Sequence, residues 1–149
     1  IEDNAALLKR IVLEVHLEHA ALQFEESDGA LAATGEPEPR WFFTSRNHHL
    51  RKALVQALEA EAVDRALIIA PDAFGEQPTT DGGAFYPVGV PLVNFLTAPF
   101  YLFDSMDTLD KIDRNGLVPL TRAIVRLIES TRGISPDAMR SGIAAYTAT

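Results

Sequence analysis

Two apolar segments place the strongest constraint on how this chain can fold. Residues 65–70 (RALIIA) and residues 90–99 (VPLVNFLTAP) are short apolar runs, and the second is bounded by prolines. Strands that are apolar on both faces are typical of a sheet interior that is covered by helices on both sides. The two segments therefore predict interior strands of an α/β protein.

Three other segments add to this pattern. Residues 11–19 alternate apolar and polar side chains with period two, which predicts a strand with one polar face. Residues 41–45 (WFFTS) are aromatic and β-prone and predict a short strand. Residues 28–39 are rich in turn formers, and we expect them to be a connection.

Two helices follow from apolar stripes with spacings of three and four. Asn47 is expected to cap the first, and Gly133 to end the second, in which Pro119 is tolerable only in the first turn. The prediction is one α/β domain over residues 1–133, with a mixed, mainly parallel sheet and helices on both faces. Residues 134–149 are expected to form a C-terminal tail.

Composition removes several classes of function. The net charge of −8 and the pI near 4.9 argue against nucleic acid or an anionic membrane as partner. No apolar run approaches the roughly 20 residues of a membrane-spanning helix, so no membrane insertion is expected. Without cysteine, any metal must be bound by His, Asp or Glu. Nothing in the sequence indicates the compartment.

Three separated segments carry a resemblance to a known family, of which the strand at residues 12–19 is the weakest match. In residues 80–91 (TDGGAFYPVGVP), Asp81, Phe85 and Gly89 to Pro91 match the family pattern Ser-Asp-His-x-Pro-Phe followed by Gly-Ile/Val-Pro. In residues 101–113 (YLFDSMDTLDKID), the run DTLDKID matches Tyr-His-Thr-x-x-Asp-Thr-Leu-Asp-x-Ile-Asp. The chain, over residues 11–132, thus resembles the C-terminal half of the family-28 zinc metallopeptidases, which include aminopeptidases and glutaminyl cyclases.

The resemblance implies a zinc-aminopeptidase-like fold and candidate metal ligands. Glu18 lies where the family strand carries an acidic zinc ligand, and Asp81 belongs to the Ser-Asp-His element. His16 shares a strand face with Glu18 and is a weaker candidate. Zinc would be the implied cofactor.

The departures from the family pattern concern its histidines. The zinc-binding histidine is replaced by Phe103, which has no lone pair to donate, and the Ser-Asp-His histidine is replaced by Gly82. We expect Phe103 to plug the former metal cavity, in a pocket with Gly82, Tyr101 and Asp107. The acidic series ending in Asp113 lacks the glycine and glutamate of a calcium loop, so a helix cap at Asp110 or Asp113 is the better interpretation.

Two functions remain open. The lost histidines favour a peptidase-like domain without zinc-dependent catalysis, which has a binding or structural role. Its partners would be a peptide or small-molecule ligand, or a second copy paired across an unpaired sheet edge. The alternative is an active zinc-dependent exopeptidase, an aminopeptidase-type amide hydrolase, whose remaining ligands lie in an N-terminal region outside this chain.

Overall fold

A computed structural model describes residues 4–141 and contains ten α-helices and β-strands over this range. In chain order they are α1 (Ala5–Leu8), β1 (Glu14–Leu17), β2 (Leu22–Ser27), β3 (Ala30–Pro37), β4 (Arg40–Thr44), α2 (His48–Ala60), β5 (Ala66–Ile69), β6 (Leu92–Leu96), α3 (Arg114–Thr131) and α4 (Pro136–Arg140).

Four strands form the main sheet, in the order β1-β6-β4-β5. β1 pairs with β6 and β4 with β5 in parallel, whereas β4 and β6 are antiparallel. The predicted α/β class with a mixed, mainly parallel sheet is confirmed, and β6 is an interior strand as expected. The same prediction for residues 65–70 is wrong, because β5 lies at the sheet edge and Leu67 is half exposed.

The main hydrophobic core lies between one face of the sheet and the two long helices. Phe42, Val93 and Phe95 point from the strands into this core. The predicted stripe of α2 packs against them, and α3 contributes the rest. The buried helix residues are Leu50, Ala53, Leu54, Ala57, Leu58, Leu120, Ala123, Ile124 and Leu127.

The opposite face of the sheet is covered differently from the prediction. Phe43, Leu92 and Leu96 form a small second cluster there, against which Tyr86 from the loop before β6 packs. In the part of the chain described, both long helices lie on the first face, so the expected helix layer on both faces is wrong. A loop covers the second face and packs closely against β1 at Gly82.

Residues 28–39 are not a simple connection. They contain β3, which pairs with β2 in a separate antiparallel hairpin. Asp28 and Gly29 form the turn, with φ of 53° and 76°. Asp-Gly is a preferred pair for such tight hairpin turns, because both positions need positive φ. The turn residues therefore marked a hairpin, and the Ala-rich strand after them was not recognised.

The helix ends follow local capping chemistry. The Asn47 side chain accepts from Leu50 N at 3.0 Å, which confirms the predicted cap of α2. Asp113 accepts from Gly116 N at 3.0 Å and caps α3. Pro119 was expected in the first turn of this helix. Because α3 begins at Arg114, Pro119 lies in the second turn instead. The carbonyl of Asn115 therefore lacks its usual intrahelical donor.

The region expected to be a tail begins with α4. Ser135 caps this helix, and Met139 is buried in the main core. The rest of that region, residues 142–149, lies outside the described residues. None of the helices between residues 4 and 141 is long and apolar enough to cross a membrane.

Candidate metal site

The polar face of β1 is the starting point of the candidate site. Because side chains alternate along a strand, Glu14, His16 and the following Glu18 share the face opposite the main core. His16 Nε2 lies 3.1 Å from Glu18 Oε2, and His19 Nε2 lies 3.9 Å from the same oxygen. Both Glu18 and His16 are half-buried. This edge of the sheet therefore concentrates two imidazoles around one carboxylate.

The loop before β6 brings a second carboxylate to this face. Ligand atoms of Asp81, His16 and Glu18 all lie within 4.8 Å of one another. The three residues that sequence reasoning proposed as ligands are thus brought together. Asp81 is exposed, so the cluster opens to solvent on the side of the loop.

Gly82 allows the loop to approach the sheet closely. A Cβ at this position would lie 2.6 Å from Glu14 Oε1, 2.7 Å from the Asn94 amide and 2.8 Å from the His16 Cβ. Real Cβ contacts are not this short, so no side chain fits here without movement of the loop. Gly82 is therefore part of the wall of the site, as was expected of a pocket residue, and its small size holds Asp81 next to His16.

Asn94 and Thr80 anchor the loop to the sheet. Asn94 pairs in register with His16 across β1 and β6. With its amide oriented to satisfy its neighbours, Asn94 donates to Glu14 Oε2 at 2.5 Å and accepts from the Thr80 hydroxyl at 2.7 Å. The buried amide thus links the strand carboxylate to the loop that carries Asp81.

Glu14 has the most strongly shifted pKa in this region. Burial raises the pKa of Glu14 to about 7, against the opposing effect of the nearby His16. Loss of water disfavours the charged carboxylate, and an adjacent imidazolium only partly compensates. Glu14 therefore exchanges a proton near neutral pH, two residues along the strand face from His16.

The donor set fits a divalent metal ion such as zinc. One imidazole nitrogen and two carboxylates are common zinc ligands, and ligand atoms around a tetrahedral ion are roughly 3.4 Å apart when each bond is about 2.1 Å. The ligand atoms of this cluster lie within 4.8 Å of one another, close to that spacing. His16, Glu18 and Asp81 are the residues that would hold the ion.

Phe103 does not plug a cavity. Its side chain is 90% exposed, and its ring packs edge-on against His19 with centroids 6.0 Å apart. The backbone φ of 68° is unusual for a large side chain and turns the ring away from the sheet. The expectation of an apolar plug is therefore wrong, and Phe103 lies at the rim of the site through its contact with His19.

The other two expected pocket residues lie away from the metal cluster. Tyr101 is buried, its ring packs against Phe24, and its hydroxyl donates to Leu22 O at 2.5 Å. Burial raises the pKa of Tyr101 to about 12, and Asp107, which is exposed, contributes to the same shift. Tyr101 ties the hairpin to residues 100–111 and is a structural residue.

Sequence reasoning missed Glu14, Asn94 and Thr80. Glu14 shares the period-two face with His16, so the alternation already contained that signal. Asn94 is the one amide in an otherwise apolar strand segment, and a buried polar side chain requires a partner. The contact of Thr80 depends on the path of the loop, which no local pattern indicates.

The comparisons with known proteins identify no relative. No protein-family model matches the sequence, no curated protein is significantly similar to it, and no solved structure matches its fold.

Proposed function

We propose that this chain is a peptidase-like domain that has lost zinc-dependent catalysis and serves a binding role. One observation carries this proposal. In the family that the chain resembles, a histidine binds zinc at the position that Phe103 occupies here. The Phe103 side chain is 90% exposed and has no lone pair to donate to a metal ion. The Phe103 ring packs edge-on against His19, at the rim of the metal cluster.

The binding role starts from the three-residue metal cluster. An ion held by Glu18, His16 and Asp81 would neutralise two neighbouring carboxylates and fix the loop that contains Gly82. Such an ion would stabilise the folded state by mass action, since the ligands come together only in the fold. A peptide or small-molecule ligand would bind at the open side of the loop.

A second candidate, a zinc-dependent exopeptidase of the aminopeptidase type, is favoured by the same cluster. Three protein ligands and an open position are what a catalytic zinc site needs, and such a zinc polarises a carbonyl and acidifies a bound water. Glu14, whose pKa of about 7 suits proton transfer, lies on the same strand face. In this case Glu14 would hold or release a proton near the ion.

The first experiment measures zinc and hydrolysis on the same preparation. Zinc is quantified by elemental mass spectrometry after dialysis, and hydrolysis is followed with a panel of aminoacyl p-nitroanilides in excess zinc. The test variants are Glu18→Gln and Asp81→Asn. The matched controls are Glu25→Gln and Asp28→Asn, which make the same chemical changes on the exposed hairpin.

We expect zinc that is lost in the test variants and kept in the controls, without hydrolysis above a zinc-only blank. Hydrolysis that disappears in Glu18→Gln and persists in Glu25→Gln would overturn the loss of catalysis and establish the second candidate. Absence of both zinc and hydrolysis would support the loss of catalysis and remove the metal from the binding role.

The free edge of β1 is the surface at which the expected homo-oligomer would form. Among the described strands, β1 pairs only with β6, so its other edge is available to a second copy. Light scattering on the purified chain tests this proposal directly. A monomer at all concentrations would exclude it.

A further inference from the structure

Residues 100–111 expose large apolar side chains in a repeating pattern. Phe100, Phe103, Met106 and Leu109 recur at every third position, with exposed fractions of 63%, 90%, 43% and 72%. Single exposed apolar residues are ordinary, whereas apolar residues that line one groove, as Phe100 and Met106 do, mark an interaction surface. This segment therefore needs an explanation beyond the packing of the core.

Part of this segment forms one wall of a groove. The groove has a volume of about 690 Å³, and its opposite wall is the turn of the β2–β3 hairpin. We call it the hairpin groove. It is lined by Glu26, Ala30, Leu31, Phe100, Met106 and Lys111, among others. Its volume lies within the roughly 300–1,000 Å³ range of ligand pockets.

The walls of the hairpin groove are held in place by contacts that do not depend on a ligand. Tyr101 donates to Leu22 O, and Asp113 N donates to Ala20 O at 3.0 Å at the base of the hairpin. The Lys111 ammonium lies over the Phe24 ring at 5.0 Å from its centroid. A groove that is already formed loses less conformational entropy when it binds a partner.

The charges around the groove are negative. Glu26 lines it directly, and the exposed Asp107 and Asp110 are sequence neighbours of the lining residues Met106 and Lys111. The single lining cation, Lys111, is already paired with Asp110 Oδ2 at 3.2 Å and donates to Thr108 Oγ1 at 3.0 Å. A partner would therefore meet an apolar floor with an acidic rim.

We infer that the hairpin groove binds a peptide segment of another protein that carries Lys or Arg beside a large apolar side chain. The apolar side chain covers Met106 and Phe100, and the cation faces Glu26, because Asp110 is already paired with Lys111. A second copy of this chain, with a net charge of −8, offers this acidic groove fewer cations than a basic peptide does, so it fits the groove less well. An anionic membrane is disfavoured by the same charge.

The test measures binding of short fluorescent peptides by anisotropy, in EDTA so that the metal cluster is not involved. The probe is a peptide of alternating Lys and Leu. Matched peptides replace Lys with Glu, or Leu with Ser. Because the metal site takes no part in this measurement, its result stands apart from the proposed function.

Two variants alter the groove and two controls make the same changes elsewhere. Glu26→Lys and Met106→Ser change the rim and the floor. Glu129→Lys and Val125→Ser repeat these substitutions on exposed positions of α3. We expect the groove variants to bind the Lys/Leu peptide at least about tenfold more weakly and the controls to stay within about twofold of the unaltered chain.

Four results would overturn the inference. Equal loss of binding in Glu26→Lys and Glu129→Lys would show a general charge effect, as would tight binding of the Lys/Ser peptide. Binding to zwitterionic lipid vesicles that is lost in Met106→Ser would assign the surface to a membrane. Self-association that is abolished by Met106→Ser would assign it to a second copy.

Discussion

Asp113 accepts a hydrogen bond from Arg40 Nη2 at 2.7 Å while the same carboxylate caps α3 through Gly116 N. Arg40 also pairs with Asp64, so one buried guanidinium joins the start of β4 to the start of α3 and to the end of the loop before β5. The helix layer is thereby fixed to the sheet at a defined point.

Replacement of Asp113 by Ala should be strongly destabilising. It leaves the buried Arg40 without one of its two carboxylates and removes the cap of α3. We expect a loss of about 3–5 kcal/mol in the free energy of unfolding, measured by urea denaturation. Asp110→Ala, at an exposed position, is the control and should cost far less than Asp113→Ala. Equal losses would contradict the structural role of the pair.

Glu14→Gln should change how stability depends on pH. The folded-state pKa of about 7 lies above the ordinary value of 4.5, so Glu14 has no electrostatic cost below pH 4.5 and destabilises the fold increasingly up to about pH 7. The upper limit of this cost is about 3 kcal/mol, and solvent near the half-buried carboxylate reduces it.

The neutral amide of Gln removes this penalty. We therefore expect Glu14→Gln to raise Tm at about pH 8 and to leave it nearly unchanged at about pH 4, with EDTA present in both scans. Glu25→Gln, on the exposed hairpin, is the matched control and should show no such difference. A stabilisation of the same size at both pH values would exclude the raised pKa as its cause.

Gly82→Ala should disturb the candidate metal site. The new Cβ would collide with Glu14 and the Asn94 amide, so the loop must move away from β1. We expect a loss of about 1–3 kcal/mol in unfolding free energy and weaker zinc binding by Asp81 and its partners. Gly75→Ala, where a Cβ meets no atom within 4 Å, is the control. Unchanged stability in both variants would show that the loop packs less closely.

Phe95→Ala should lower the free energy of unfolding far more than Phe103→Ala. Phe95 is fully buried in the main core, and its truncation should cost about 3–5 kcal/mol. Phe103 is exposed, so its truncation should change the unfolding free energy by no more than about 0.5 kcal/mol. A large loss in Phe103→Ala would restore the interpretation of this residue as a plug.

Local patterns predicted much of the sheet and of the site. Period two in β1 placed His16 and Glu18 on one polar face, and the apolar stripe of α2 predicted its buried side. Asn47 was recognised as a cap because capping depends only on a residue and the three that follow it. In each of these cases, the interaction is local or repeats with the period of the element.

The errors concern properties set by distant parts of the chain. The apolar composition of β5 is compatible with an interior strand, but its edge position depends on which strands pair. Phe103 belongs to an apolar run, but its positive φ directs the ring outward. The partner of Asn94 was not predictable, because it depends on how the Gly82 loop crosses the strand ends.

The central position of β6 also sets the order in which the chain can fold. Both of its neighbours, β1 and β4, precede it in sequence, and no hydrogen-bonded contact joins them to each other. During synthesis, the β1–β6 and β4–β6 pairings must wait until β6 has emerged, whereas β4 and β5 can pair earlier. The late, non-local pairings would make folding comparatively slow. The ligands on β1 and in the Gly82 loop would come together only at this late stage. A metal ion could therefore stabilise the fold only after β6 has paired with its neighbours.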